Sequence, residues 1–465
     1  MHGERKESVD KRDVIVVGGG AAGIGASLAA ARAGASTLLI ERYGFLGGMA
    51  TAGLVNHWDP IKLMEITGIA RELYDELDKR KALLDFPFDN VEMPFTYWEA
   101  GCGFDAEVLK RVELELLRKS GVDLLLHSFV TGVLGKGSAV EGVVVHSKSG
   151  REEVRGKFII DATGDGDIAA WAGAPFQKGT DDGELMACTL CFMVGGVNTA
   201  KLRQYLLDNP DEFAVHPRLG KFIKNVDRSS IWQGFHKAIK QAREAHDLTI
   251  PLPEPGIGMV RLPIEGQFHV NVTHTPGIDG TDARSLTRGE INERDSLQQL
   301  FPVMKKYIPG FENAYLLSTP AQIGIRETRR IKGDYYLTID DFRHAKRFND
   351  AIMQGKWAHS DIHSGKEAGR GEQIKWEFEM VEGPYQVPYR CLVPQGFDNI
   401  IVGGRSIWTD RKVNGTLRSQ PMCTATGQAA GVAAALAAAS DKSLRDIRIG
   451  KVQDVLRQQG ARIDV

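Results

Sequence analysis

The stretch Asp13–Arg42 constrains the fold more than any other part of the chain. It runs Asp-Val-Ile-Val-Val-Gly-Gly-Gly-Ala-Ala-Gly, then an alanine-rich segment, then Ser-Thr-Leu-Leu-Ile-Glu-Arg. The apolar, β-branched run Val14–Val17 predicts a strand buried on both faces. Gly18, Gly20 and Gly23 follow in G-x-G-x-x-G spacing. Such glycines serve a tight turn, a close approach of backbone to a pyrophosphate, and close packing of helix on strand. A helix expected from about Ala22 to Ala33 would aim its N-terminal amides and positive dipole end at that phosphate. Gly34 suits the helix C-terminal cap, and a second strand is predicted over Thr37–Ile40. Glu41 closes that strand, where an acid accepts hydrogen bonds from a ribose. Alone, the glycine spacing is a weak signal. Set between two strands and ahead of a correctly placed acid, it predicts a dinucleotide site.

A chain of 465 residues exceeds what one hydrophobic core usually supports, so two domains are expected. With 58 basic against 60 acidic residues, nucleic acid and anionic membrane are not expected as main partners. Met1–Arg12 is polar and charged without an apolar region, so no secretory signal is read there. No run of about 18 apolar residues marks a membrane span, and Ala425–Ala439, mostly alanine and glycine, reads as a buried helix. Five cysteines point to a reducing compartment without a disulfide framework, and a cytoplasmic location is expected. Cys188 and Cys191 form a single C-x-x-C with no further ligands at matched spacing. They read as small buried hydrophobes, the alternative being a redox or metal pair.

Along the chain the dinucleotide pattern returns several times. After the second strand, Gly44–Gly53 is rich in small residues, as where backbone passes close to a flat ligand. A helix is predicted from Asp105 to Ser120, a strand over Val122–Leu126, and a β-meander from Val133 to Val154. Phe158–Ile160 reads as a further buried strand ending in the small-residue turn Asp161–Asp167, at the carboxyl end where open α/β sheets bind ligands. The region from about 181 to 385 differs in texture, being richer in Arg, His, Trp and Tyr. The pattern resumes at Asp398–Arg405 and ends with Thr426–Gly431, expected to open an alanine-rich helix. The expected division is a frayed tail (1–12), a discontinuous nucleotide domain (13–55, 100–180 and 386–440), a substrate or cap domain (56–99 and 181–385), and a helical C-terminal tail (441–465).

Six stretches together carry a resemblance: Val17–Gly23, Leu46–Thr51, Ile160–Asp167, Gly324–Ile331, Val387–Arg390 and Gly427–Gly431. The chain resembles the FAD-dependent oxidoreductases of glutathione-reductase-like fold, related to the fumarate reductase and succinate dehydrogenase flavoproteins. The resemblance implies an α/β fold: a Rossmann-like FAD-binding domain, with a parallel sheet and β-meander, plus an inserted α+β substrate domain. It implies FAD rather than NAD. Gly18, Gly20 and Gly23, with Ala21 and Ala22, would then bind the pyrophosphate, and Glu41 and Arg42 would adjoin the adenosine ribose. The Val130 backbone would meet the adenine edge, with Ala162, Thr163, Gly164 and Asp165 near the adenosine half. Gly47, Gly48, Met49 and Thr51 would line the isoalloxazine. A helix starting near Gly427 and Gln428 would point its N-terminus at the flavin N1–C2 edge, where it stabilises the negative charge of the reduced ring. After the strand end at Gly403-Gly404, relatives often carry an acid for the ribitol. Here Arg405 stands instead, which suits a phosphate better. No C-x4-C follows Gly47-Gly48, no second G-x-G-x-x-G exists, and no cluster-type cysteine run occurs. Disulfide reductases, a second nucleotide domain and a built-in iron-sulfur relay are therefore not expected.

Four polar residues are candidates for chemistry. His57 follows the turn expected beside the flavin, and a base there could take a hydroxyl or amine proton as hydride leaves; the competing reading is a structural histidine. Arg326 lies in a cluster with Glu327, Arg329 and Arg330 that leaves net positive charge for a substrate carboxylate or phosphate; the competing reading is a solvated strand face. Asn414–Arg418 resembles the His-Gly-x-x-Arg stretch of fumarate-reductase relatives, where the arginine engages a carboxylate; Asn414 stands at the histidine position here, and the resemblance implies Arg418 as a second anion clamp. Asp361 places a carboxylate near the His363 imidazole, but side chains two apart share a face only in a strand; a loop pair orienting one another is one reading, and a purely structural role is the other. Trp232, Phe235, Trp357, Trp376 and Tyr389 read as core or interface aromatics. The reading is a dehydrogenase or reductase moving hydride between a small organic substrate and flavin N5, with an electron donor or acceptor the sequence does not identify and oligomerisation left open. Its rivals are a flavin monooxygenase or oxidase, and a redox-silent FAD-binding protein.

Overall fold

Five strands run parallel in the order Asp123–Leu125, Thr37–Ile40, Arg12–Val17, Gly150–Asp161 and Ile400–Val402. The computed structural model describes residues 11–58, 61–85, 100–135, 137–212, 215–216, 220–221, 225–253, 256–365 and 375–464. The central strands are buried, with the helices Ala21–Arg32 and Gln420–Ser440 packed against them, which is why their sequences read as continuous apolar runs rather than alternating ones. Val17 pairs with Ile40 on one side and Asp161 on the other, and Val402 also pairs with Asp161. Four carboxyl ends therefore finish on one edge, where a ligand of an open α/β sheet sits.

The strand Gly150–Asp161 does two jobs. Its second half joins the parallel layer, while Gly150–Arg155 pairs antiparallel with Gly142–Ser147, which in turn pairs with Phe129–Leu134. This is the β-meander expected from the valine alternation, except that the separate strand expected at Phe158–Ile160 is the continuation of its last member.

The helix Ala21–Arg32 lies against the long helix Gln420–Ser440. The contact is backbone to backbone: a Cβ on Gly427 would meet the Ala22 carbonyl oxygen at 2.0 Å, and one on Gly431 the Ala26 oxygen at 2.1 Å. The small-residue pattern over 427–431 is thus a packing surface, and the helix begins seven residues earlier than expected. By length and composition alone it could cross a membrane, but it is the buried centre of this core.

A second layer is an antiparallel sheet in the order Ile231–Gly234, Ile257–Arg261, Phe268–Asn271, Phe192–Gly195 and Tyr315–Ser318. The helix Ala283–Tyr307 covers it, and Trp232, Phe235, Phe268 and Phe311 fill its own core. The expected cap boundaries shift accordingly. Residues 56–85, expected in the cap, put Trp58, Ile69, Leu73 and Leu77 into the nucleotide-side core. Ile331 to Tyr389 likewise contributes there, because the short strand Arg329–Ile331 pairs with Phe176–Lys178 next to the parallel layer. The C-terminal segment holds the helix Ile449–Gln458, as expected, and Leu444, Val452, Leu456 and Ile463 are buried in the same core. Residues 86–99 of the expected cap, residues 1–10 of the expected tail and the Trp376 side chain lie outside the described residues.

An antiparallel ribbon, Ala351–Ser364 with Lys375–Pro388, joins the two cores. Its lower part packs Met353 and Val387 into the first, while Trp357 and Phe378 lean on the second. Successive residues of a strand face opposite sides, so His359, Asp361 and His363 share one face, and it looks into the space between the cores.

Candidate active site

The four carboxyl ends enclose a groove of about 430 Å³, within the range typical of cofactor and small-molecule sites. Backbone lines most of its inner wall. Gly18 sits at φ +100°, where a Cβ would be 2.5 Å from the Ala162 carbonyl oxygen, and a Cβ on Gly48 would meet the Gly20 Cα at 2.8 Å. The Gly47 amide donates to the Gly19 carbonyl at 2.8 Å, holding the second glycine turn onto the first. Glu41 is buried; its two carboxylate oxygens accept from the Gly19 amide at 2.6 Å and the Tyr43 amide at 2.9 Å. Each oxygen keeps a lone pair for a further donor, so the acid both braces the glycine loop and faces the groove.

Asp161 organises the opposite wall. It accepts from Thr163 Oγ1 at 2.7 Å and the Ala169 amide at 2.9 Å, which fixes the Ala162–Gly164 turn. Burial pushes its carboxyl up to about 6. Gly18, Gly20, Ala21, Ala22, Glu41, Arg42, Gly47, Gly48, Met49, Val130, Ala162, Thr163, Gly164, Asp165, Gly404 and Arg405 all line the groove. Of the expected cofactor residues, four do not. Gly23 is packed under Gly18, Thr51 is buried with its hydroxyl donated to the Leu46 carbonyl, and Gly427 faces Ala22. Gln428 accepts from the Ile69 amide at 3.1 Å, away from the groove. The helix end that does reach it is Gln420, after the cap Ser419.

Arg405 also departs from expectation. It is tied to Asp165 at 2.6 Å and donates to the Gly164 carbonyl at 2.7 Å and to the Ile325 carbonyl. Its charge is compensated within the protein, so it serves as a strut between strand end, turn and cap rather than as a waiting phosphate ligand. Asn414, which occupies the family's histidine position, donates to the Arg405 carbonyl at 2.8 Å. The cap closes the groove's mouth with Leu286, Glu290 and Gln322, the last accepting from Tyr43 Oη at 2.7 Å and from Arg42. Nothing local in the sequence marks these cap residues, because they come from an amphipathic helix and a loop whose closeness is purely tertiary.

Behind the groove lies a smaller cavity of about 170 Å³. The two share Met49, Ile325, Arg405, Arg418 and Gln420 as walls, so they abut. All four candidates for chemistry, His57, Arg326, Arg418 and His363, line this inner cavity, together with His359, Asp361 and Cys191. The His57 ring packs at a tilt against the buried His269, ring centroids 4.7 Å apart, and burial with His57 nearby holds the His269 ring well below the usual histidine range.

The arginine cluster divides. Arg329 pairs with Asp167 at 2.7 Å, and Arg330 pairs with Glu327, which also receives Arg411 at 3.0 Å. Arg326 is different. It is buried, and its hydrogen bonds go to neutral oxygens, the Ala187 carbonyl at 2.8 Å and Thr189 Oγ1 at 2.5 Å. Burial and the Arg418 charge depress its basicity. Arg418 donates to Asp361 Oδ2 at 2.7 Å. Asp361 and His363 are not a loop pair but ribbon neighbours, His363 Nε2 lying 3.0 Å from Asp361 Oδ1. A residue the sequence did not single out completes the group: His274 Nε2 meets His363 Nδ1 at 2.9 Å. The cysteines are all free and buried, and burial pushes Cys191 up to about 12, so it is a thiol rather than a redox thiolate. Among the described residues no set of His, Cys, Asp and Glu is arranged to hold a metal. Trp232, Phe235 and Tyr389 are buried and Trp357 packs on the second core, as expected of structural aromatics.

A protein-family model described as FAD dependent oxidoreductase matches residues 13–456. No curated protein sequence matches the chain. Among solved structures, it is similar to a geranylgeranyl bacteriochlorophyll reductase-like protein from Thermoplasma acidophilum at 15% identity and TM-score 0.49, covering 98% of this chain and 85% of that one. It is also similar to a p-nitrophenol 4-monooxygenase from Pseudomonas putida DLL-E4, at 14% identity and TM-score 0.46, covering 96% and 83%. An L-proline dehydrogenase from P. horikoshii matches at 13% identity and TM-score 0.44, covering 93% and 94%. Likeness at this level carries nothing about the reaction, and membership rests on the family match.

Proposed function

Because the chain belongs to the FAD-dependent oxidoreductase family, whose cofactor fits the backbone-lined groove, we propose that it moves a hydride between that flavin and a small carboxylate-bearing molecule seated in the inner cavity. The observation that carries this reading is Arg326: a buried guanidinium on the cavity wall, hydrogen-bonded to neutral oxygens, facing a space that abuts the groove. A buried cation is costly unless an anion pairs with it. A substrate carboxylate supplies that anion and gains a charge-assisted, directional contact.

FAD, when bound, supplies the two-electron chemistry. The residues of the chain do the rest. Gly18, Gly20 and Gly48 let backbone approach the cofactor, and Glu41 receives its ribose. Arg326 fixes the substrate's acid end, while Met49, Ile325 and Gln420 form the boundary across which the reacting carbon meets the groove. His57, His363 and Asp361 surround the cavity as acid–base groups.

Anaerobic mixing of the FAD-loaded protein with small hydroxy and amino acids, each beside its neutral amide, tests the proposal. At least one acid should bleach the flavin while its amide does not. Equal reaction of acids and amides would remove the carboxylate from the proposal.

A further inference from the structure

His274 lies outside the cavity lining, yet it controls what its neighbours can do. Its Nδ1 is 3.1 Å from the Val272 carbonyl oxygen. A carbonyl only accepts, so His274 Nδ1 carries a hydrogen. His274 is buried, and burial together with the Arg326 charge holds it neutral. Its Nε2 is then a bare lone pair, and the 2.9 Å contact to His363 Nδ1 requires that His363 carry a hydrogen on Nδ1.

With that nitrogen committed, His363 Nε2 has no hydrogen of its own while the ring is neutral. It nevertheless sits 3.0 Å from Asp361 Oδ1, an acceptor when ionised. Two lone pairs facing at this distance repel. The contact is a hydrogen bond only if one extra proton lies in it, on the imidazole or on the carboxylate. The other carboxylate oxygen is held by Arg418 at 2.7 Å, and the same guanidinium donates to the Asp361 carbonyl at 3.0 Å, so turning Asp361 away would break its ion pair.

We propose that His274 is a positioning residue that locks the His363 tautomer, so that His363 and Asp361 together hold one mobile proton at the wall of the inner cavity. The role in turnover rests on that cavity being the substrate site. With bound FAD supplying hydride and its electron pair, His363 and Asp361 would give up their proton to the oxygen or nitrogen of the substrate being reduced. The emptied pair, two opposed lone pairs, refills from solvent. In the reverse direction it takes the hydroxyl or amine proton as the C–H leaves as hydride. Without His274, the His363 ring could move its own hydrogen to Nε2, satisfy Asp361 and hold no extra proton.

Burial, the largest effect, and Arg326 act against positive charge on both rings, and Arg418 does so at His363; Asp361 acts for it, and Glu293 lies behind Arg326 with the buried thiols of Cys188 and Cys191. The two groups are coupled, so their protons come off in macroscopic steps that belong to the pair rather than to either residue.

The test is nitrogen NMR of the FAD-loaded protein labelled at histidine, with His274 and His363 assigned through His274→Phe and His363→Gln. The wild type should show His274 protonated on Nδ1 alone and His363 protonated on Nδ1, with a titrating Nε2. In Asp361→Asn, His363 should be neutral with Nδ1–H, and the Nε2 titration should be lost. In His274→Phe, the His363 hydrogen should shift to Nε2. His274 protonated on Nε2, or an unchanged His363 titration in Asp361→Asn, overturns the proposal; if the phenylalanine variant does not fold, those two spectra still decide. They need no substrate, so a correct proton chain with no flavin bleaching by any acid refutes the hydride reaction and not the chain.

Discussion

Replacing Gly427 with alanine separates packing from cofactor binding. In the native helix pair a methyl at this position would lie 2.0 Å from the Ala22 carbonyl oxygen and 2.7 Å from its carbon. Ordinary contact begins at 3.4 Å, so the two backbones must part by about 1.4 Å, and no side-chain rotation relieves the clash. The same pair is equally tight at Gly25, 2.2 Å from the Thr424 oxygen, and at Gly431, so one displacement loosens the whole interface. Overpacking of this kind costs up to about 3 kcal/mol, and alanine returns about 1 kcal/mol through helix propensity. The net loss expected is about 2 kcal/mol. Urea unfolding of apoprotein and FAD-loaded protein should show the same loss in both, with FAD affinity changed less than a few-fold. Unchanged apoprotein stability with much weaker FAD binding would refute the packing role and restore Gly427 as a cofactor contact.

Other substitutions probe the groove and the buried groups. Glu41→Ala removes the acceptor of the Gly19 and Tyr43 amides; at about 1.5 kcal/mol or more per charged hydrogen bond, it should weaken FAD binding at least tenfold by fluorescence titration, and an unchanged affinity would count against its place in the site. Asp161 has a folded value of about 6 against an ordinary 3.8, so its native state holds the proton more tightly. Its contribution is full below about pH 4 and is lost as pH rises through 6, a change of about 3 kcal/mol. The stability difference between wild type and Asp161→Ala should shrink by that order between pH 4 and 7, and a constant difference would exclude the linkage. Cys191, pushed up to about 12 by burial, should react with a thiol reagent at pH 8 only after denaturation; fast labelling of the native protein would show an accessible thiolate.

Much of the nucleotide site was legible because its chemistry is local. Val14–Val17, the glycines and Glu41 are contiguous, and strand, turn and acid each carry a backbone requirement that only certain residues meet. The Asp161 turn was readable for the same reason. The Gly427 stretch misled because small residues serve equally for a helix start beside a ligand and for two backbones in contact; only the partner helix distinguishes them. Arg326, Arg329 and Arg330 look alike in sequence, and their partners, Thr189, Asp167 and Glu327, decide which one hydrogen-bonds to neutral oxygens instead of pairing directly with a carboxylate. His274 and His363 are 89 positions apart, and no periodicity announces that a strand exit and a ribbon meet. Asp361 and His363 are close enough in sequence to read as a pair, but their common face depends on the ribbon being a strand.

The central claim is that Arg326 holds the substrate's carboxylate next to the flavin groove. It is tested most directly by anaerobic rapid mixing of wild type and Arg326→Met with the acid that bleaches the flavin fastest. Loss of a buried charged contact costs about 2 kcal/mol or more, so kcat/KM for the acid should fall at least about 30-fold while FAD affinity stays the same. An Arg326→Met protein that reduces its flavin with the acid as fast as wild type would contradict the account.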